Sequence, residues 1–264
     1  MSGVKPLAVP ADIIYTYDGS FDGFLCCVFE SVYSGVLPLD ILCEEDAAPT
    51  LMEVRPIATD PVKAGRVRAS MPHKISARAL ELLKTVFCSC LAQKELRLLE
   101  FLLRGYREGG KLCYKLGDMV MAPLLNAEKH LLRESHLHMG FVRFSDVGGA
   151  LVAVITPKNY ILPFIAEHFV LRYDREQFMI FDKTNKAALV YQEGKAEILR
   201  IEHVEFPEIS VGEVRYQALW KRFYDTIAIE GRQNPRCRMT HMPKRYWENM
   251  LEVSDLVRPK KDGL

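Results

Sequence analysis

Between Gly231 and Trp247 the chain carries Arg232, Arg236, Arg238, Lys244 and Arg245, together with His241, and no acidic residue. Tyr246 and Trp247 close the run. Guanidinium forks match phosphate oxygens and aromatic faces stack on bases, so these residue types in one stretch fit a phosphate-bearing polymer. A solvated surface gives the same pattern if its cations meet acids elsewhere in the fold and its aromatics fill the core. His241 adds a second chemistry. An imidazole titrates near neutrality and, beside a carboxylate, can move a proton; Asp18, Glu167 and His168 are the candidate partners. Asp18 also precedes a glycine at a turn, where aspartate is ordinary, and His168 falls on the apolar stripe of a helix.

Metal and thiol chemistry find less support. The seven cysteines, Cys26, Cys27, Cys43, Cys88, Cys90, Cys113 and Cys237, are odd in number and contain no C-x-x-C pair, which fits reduced thiols packed as small apolar groups. His130, Glu134 and His138 stand four apart and share a face of a continuous helix, a spacing used by metal sites. The H-E-x-x-H pattern is missing, and a polar, solvated helix face accounts for the triplet equally well. No metal and no cofactor is expected. A nucleophile elbow, a Walker A loop and a dinucleotide-binding glycine pattern are all lacking.

The whole chain is close to neutral. Its 264 residues include 35 Lys and Arg against 34 Asp and Glu, with 49% hydrophobic residues. That excludes a disordered chain, a disulfide-built mini-protein and a uniformly basic coating protein. Glu44, Glu45 and Asp46 form an acidic cluster far in sequence from the basic run, so overall neutrality is compatible with one confined basic edge. No apolar run is long enough to span a bilayer, and Met1–Pro10 has no secretory pattern; a cytoplasmic protein is expected.

The elements that must position these residues follow from periodicity. Ile13 to Tyr17 reads as a strand, then Ser20 caps a helix whose buried face carries Phe21, Phe24, Leu25, Val28, Phe29 and Val32. From Asp40 to Lys74 the prolines and acids read as connecting segment. Apolar stripes at Leu80–Leu91, Leu96–Tyr106 and Leu116–Leu131 predict three helices, the last kinked or divided by Pro123. After Gly140 the pattern changes: Phe141–Phe144 and Leu151–Ile155 read as a hairpin across Val147-Gly148-Gly149, then a helix carries Ile161, Phe164, Ile165 and Phe169. Three further strands, Phe178–Phe181, Ala187–Tyr191 and Ile198–Ile201, are separated by short turns, and a last helix runs from near Val211 to about Ile229. The expected fold is α+β: an antiparallel sheet in β-β-α-β-β-β order with a mostly helical N-terminal half. We expect one unit of two lobes, residues 1–139 and 140–264, the second holding the sheet, the C-terminal helix and the basic segment.

Several blocks resemble a bacterial family classed as a domain of unknown function, number 4130, whose members are labelled as DNA metabolism or DNA repair proteins. They are Tyr15–Leu25, Gly140–Phe144, Pro163–Phe169 and Phe178–Asp182, and most specifically Asn234-Pro235-Arg236 with His241-Met242-Pro243-Lys244-Arg245-Tyr246-Trp247. The resemblance implies a place in DNA metabolism and a radical S-adenosylmethionine protein as partner. It transfers no catalytic residue. The chain lacks the clustered C-x-x-x-C-x-x-C that would hold an iron–sulfur cluster, so it is not that radical enzyme itself. Three readings remain: a DNA-binding accessory using Arg232, Arg236, Arg238, Lys244, Arg245, Tyr246 and Trp247; a nucleic-acid-processing enzyme using His241 with a carboxylate; and a protein–protein adaptor that touches no DNA.

Overall fold

In a computed structural model of the chain, residues 8–202, 204, 210–227 and 234–254 are described, and they divide between two units, Met1–Leu131 and Leu132–Leu264. Among the described residues no helix is long and apolar enough to cross a membrane.

The first unit is built on three parallel strands, β1 (Val9–Tyr17), β2 (Val36–Cys43) and β3 (Glu53–Pro56), in the order β2-β1-β3. Helix α1 (Phe21–Ser34) makes the crossover from β1 to β2. Ser20 caps it by accepting from the Gly23 amide at 2.9 Å, and Gly35, at φ 71°, closes it in the left-handed region that glycine adopts without strain. Tyr15, Tyr17, Phe24, Leu25 and Cys27 are buried here, packed with residues of α2 (Pro61–Lys74), α3 (Ala77–Phe87) and α4 (Lys94–Glu108).

The stretch expected to be a connecting segment, Asp40 to Lys74, thus holds the second half of β2, all of β3 and all of α2. Its prolines are punctuation of another kind. Pro38 and Pro56 lie in the two edge strands, where a missing amide need not break a ladder, and Pro61 opens α2 behind Asp60, whose carboxylate accepts from the Val62 amide at 2.8 Å. Pro123 likewise neither kinks nor divides its helix. It is the third residue of α5 (Met121–Phe141), where an amide has no intrahelical acceptor to lose.

The second unit holds a five-stranded sheet ordered β4-β5-β6-β7-β8: β4 (Ser145–Val147), β5 (Ala150–Ile155), β6 (Phe178–Asp182), β7 (Ala187–Gln192) and β8 (Lys195–Arg200). The sheet is mixed, not antiparallel as expected. Short turns do make β4–β5, β6–β7 and β7–β8 antiparallel, but β5 and β6 run parallel, because helix α6 (Leu162–Arg172) is a crossover long enough to return the chain in the same direction. The hairpin also starts later than expected: Phe141 ends α5, and the first strand is Ser145–Val147. Its turn is made by Gly148 and Gly149, both at positive φ, with Asp146 accepting from the Gly149 amide at 2.8 Å. Ile161, Leu162, Ile165 and Phe169 bury one face of α6 with Ala153, Phe178, Ile180 and Leu189 of the sheet. Helix α7 (Val211–Ile227) and the seven-residue α8 (Pro235–His241) follow, then a 3-10 turn at Lys244–Asn249. The expected end of α7 near Ile229 lies outside the described residues.

Candidate functional site

In the second unit α5 places Glu134 and His138 one turn apart, and both are buried. The position follows from the sequence of that helix: the buried stripe through Leu124, Glu128 and Leu131 continues at i+3 and i+4 onto Glu134, Ser135 and His138. A carboxylate so placed must find donors or neutralise. Glu134 finds five. Backbone amides of Lys158 and Asn159, from the loop between β5 and α6, donate at 3.1 and 2.9 Å, and the Asn159 side chain donates at 2.6 Å. The remaining two come from the C-terminal segment: Arg245 Nη2 at 3.0 Å and the Tyr246 hydroxyl at 2.9 Å.

The electrostatics agree with this geometry. Burial pushes the Glu134 carboxyl up, but the amides of Asn159 and Lys158, the Asn159 side chain and the Tyr246 hydroxyl outweigh it and hold the group below the ordinary glutamate range. Burial lowers His138, against the opposing pull of the Glu134 carbonyl, to which its Nδ1 bonds at 2.9 Å, so the imidazole is neutral at pH 7. Burial, helped by the Glu134 charge, drives the Tyr246 hydroxyl upward, so it stays a donor. A second buried carboxylate sits close enough to feel the first. Asp182, at the end of β6, accepts from the Thr184 and Asn185 amides at 3.0 Å each and from the Asn185 side chain at 2.7 Å. Burial nevertheless raises it to about 6, the Glu134 charge adding to the effect.

The network is an anchor. An ionised carboxylate with its lone pairs occupied by five donors has no free site from which to take a proton, so Glu134 holds Arg245 and Tyr246 in place. Around them, Tyr246, Trp247, Met250 and Val253 form a small core with Leu137, Phe141 and Met242. The Tyr246 ring meets His138 edge-on at 4.5 Å with the Arg245 guanidinium 4.6 Å from its centroid, and Trp247 Nε1 donates to the Met242 carbonyl at 2.9 Å. Farther along, Arg143 donates through Nε and Nη2 to Glu252 at 3.0 and 2.6 Å.

With those side chains turned inward, the other basic residues face out. Arg236 and Lys244 are exposed and Arg238 is half-buried on α8 and the turn after it, and none of the three forms an ion pair with a described residue. Asn234 caps α8 by accepting from the Cys237 amide at 2.9 Å, and Lys244 lies 6.0 Å from the Trp247 ring centroid. Arg232 lies outside the described residues. Of the aromatics singled out for base stacking, Tyr246 and Trp247 are 3% and 6% exposed, so they form the floor of the basic surface and offer no open face.

The family model for a domain of unknown function, DUF4130, matches residues 92–252, more than half of the chain, including the whole second sheet, Glu134, Asp182 and the segment from Asn234 to Trp247. The chain belongs to the DUF4130 family. That family description assigns no activity, and no curated protein or solved structure matches the chain.

Among the described residues of this DUF4130 chain, the side chain of His241 makes no hydrogen bond or ion pair with Glu167 or His168 of the same unit. His241 is exposed in the last turn of α8, and its side chain bonds to no described residue. Asp18, in the first unit, spends its carboxylate on the Ser20 amide and hydroxyl at 2.9 and 2.6 Å and on the Thr59 hydroxyl at 2.8 Å. Glu167 is exposed on α6, and His168 packs edge-on to Phe169 at 5.0 Å, its Nε2 buried without a hydrogen bond. Of the His130, Glu134 and His138 triplet, only His130 faces solvent, and among the described residues no group of three His, Cys, Asp or Glu is placed to hold a metal ion. Asn159 and Asn185 carry no motif, and Asp182 enters only as the end of the block Phe178–Asp182. From the sequence, Glu134 and His138 stand out by their four-residue spacing with His130, and Arg245 and Tyr246 by the basic run, but nothing there brings the two segments together.

Proposed function

We propose that this protein binds DNA through its backbone phosphates, without catalysis at the basic segment. One observation carries the reading: Arg236, Arg238 and Lys244 have no acidic partner among the described residues, on a segment pinned from beneath by the Glu134, Arg245, Tyr246 and Trp247 anchor. Unpaired cations held on a fixed support gain more from a polyanion than cations on a free tail, because less conformational freedom is lost on binding. Arg245 contributes in part by positioning, since its Nη2 is bonded to Glu134 while the side chain stays one-third exposed. The alternative, a nucleic-acid-processing enzyme using His241 with a carboxylate, draws no support from a side-chain hydrogen bond of His241 to a described residue. A role beside a radical S-adenosylmethionine enzyme rests on the family resemblance alone.

The test is fluorescence anisotropy of a labelled 20-base-pair duplex titrated with the full chain at rising salt. We expect salt-sensitive binding that varies little with sequence. The double variant Arg236→Ala/Lys244→Ala should weaken it on every duplex and flatten the slope of log K against log salt by about 2, near 0.9 for each phosphate that is no longer neutralised. Undiminished affinity and an unchanged slope in a folded double variant would rule the interface out.

A further inference from the structure

Helix α7 (Val211–Ile227) has no buried residue, although one of its faces is apolar and aromatic. Tyr216, Leu219, Trp220, Phe223 and Ile227 recur at helical spacing and are 72%, 61%, 43%, 53% and 57% exposed. A hydrogen bond from the helix to its own unit uses the polar side: Gln217 Nε2 donates to Ser145 Oγ at 3.0 Å and to Glu213 at 2.9 Å. An amphipathic helix normally turns its apolar face to the core. This one docks by an amide and leaves three aromatic rings outside.

The chemistry bordering the stripe narrows what fits it. Arg215 and Arg222, two turns apart on one flank, are exposed, and neither makes an ion pair with a described residue. Glu213, on the opposite flank, is engaged by Gln217. The surface is therefore a row of rings with a row of guanidinium groups along one side. A second copy laid antiparallel on the stripe would bring these like-charged flanks together, which disfavours self-pairing. Tyr216, Trp220 and Phe223 are separated by about 6 and 4.5 Å along the axis, from a rise of ~1.5 Å per residue, and the Trp220 and Phe223 centroids lie 5.9 Å apart. That spacing suits unstacked bases of an extended strand, while the arginines, ~10.5 Å apart, can meet its phosphates.

We propose that the aromatic face of α7 binds single-stranded DNA, the rings of Tyr216, Trp220 and Phe223 taking bases and Arg215 and Arg222 taking phosphates. The inference rests on the DNA-binding reading above and deepens it, giving that interface a preference for unpaired strands. A duplex keeps its bases stacked inside, so only a single strand can use the rings.

The chain has two tryptophans, and only Trp220 belongs to this face, which gives the experiment an intrinsic probe. Titrating the full protein with a 20-nucleotide oligothymidylate at 50 mM salt should quench tryptophan emission. The quench should vanish in Trp220→Phe, a change at an exposed position that retains stacking. The single strand should bind at least ten-fold more tightly than a duplex of equal length. Tyr216→Ala/Phe223→Ala should lose about ten-fold or more in single-strand affinity and leave duplex binding unchanged. Equal affinity for both forms with Trp220 emission unmoved overturns this inference and leaves duplex binding by Arg236 and Lys244 standing. Tighter binding of oligouridylate than of oligothymidylate overturns the assignment to DNA. Concentration-dependent dimerisation in sedimentation that is abolished in Tyr216→Ala/Phe223→Ala would hand the face to a second copy. No binding to any nucleic acid at 50 mM salt removes both readings together.

Discussion

Two segments of the second unit treat their aromatic residues in opposite ways. Around Tyr246 and Trp247 the rings go inward and meet Leu137, Phe141 and His138, while Arg236 and Lys244 stay at the surface. Along α7 the rings of Tyr216, Trp220 and Phe223 stay out, and the hydrogen bond to the sheet is left to Gln217. The first arrangement stabilises the fold and presents charge. The second contributes little apolar burial and presents stacking surface. Aromatic content alone therefore separates nothing here; what distinguishes a core residue from a surface for partners is whether a polar anchor such as Glu134 pulls the neighbouring backbone down onto the unit.

The sharpest way to break that contrast is to remove one tryptophan from each segment. Trp247→Ala empties a site 6% exposed and loses the hydrogen bond to the Met242 carbonyl, and should cost about 3–5 kcal/mol. Trp220→Ala, at 43% exposure, should stay within about 0.5 kcal/mol of the parent. Chemical denaturation followed by circular dichroism measures both. Equal costs would mean that α7 is packed after all and the comparison is void.

Next in size is the anchor. Glu134→Ala leaves the Arg245 guanidinium, the Tyr246 hydroxyl, the Asn159 side chain and two amides without their acceptor. Because the Arg245 side chain is one-third exposed, water can rescue part of the loss, and about 3 kcal/mol is expected. In a domain of this size that is a fall in Tm of roughly 6–12 °C. Duplex affinity should fall with it at temperatures where the fold persists, since Lys244 loses its support. A variant as stable as the parent would show the five hydrogen bonds to be incidental.

How much of this the sequence made legible follows the same division. The basic run was visible because its meaning is compositional: several cations and no acid in one stretch. Its orientation was not, since Arg245 and Lys244 are adjacent and alike until Glu134, 111 positions away from Arg245, selects one of them. Strand β5, helix α6 and strand β6 were each readable from periodicity, yet their parallel pairing was missed because the turn argument that orders β6, β7 and β8 has no force across an eleven-residue helix. Strands β2 and β3 were hidden by prolines that edge strands tolerate. The helix at α7 was readable from its periodic apolar stripe, but its exposure was not, because periodicity reports a face and says nothing of what covers it.

The smallest effect sought is in the pH dependence of the buried carboxylates. Asp182 is raised in the fold to about 6 from a value of 3.8 in an unfolded chain. A raised carboxyl is destabilising when charged, so the penalty is complete above the folded value and is relieved as pH falls from about 6 towards about 4, where both states are protonated. Glu134, held low, has the opposite sign: its stabilisation is present above the ordinary glutamate range and fades below it. His138, lowered by burial, also costs stability once pH falls below the ordinary histidine range. The three overlap, so the parent curve alone cannot separate them. Asp182→Asn removes one titration and leaves the other two. Subtracting the variant's unfolding free energy from the parent's at each pH should give a difference that grows in the parent's favour by about 1–3 kcal/mol between pH 7 and pH 4. A flat difference would mean that the turn amides and Asn185 compensate the Asp182 charge fully. In a Glu134→Ala background, which removes the neighbouring charge, Asp182 should move closer to its ordinary range and the same difference should shrink.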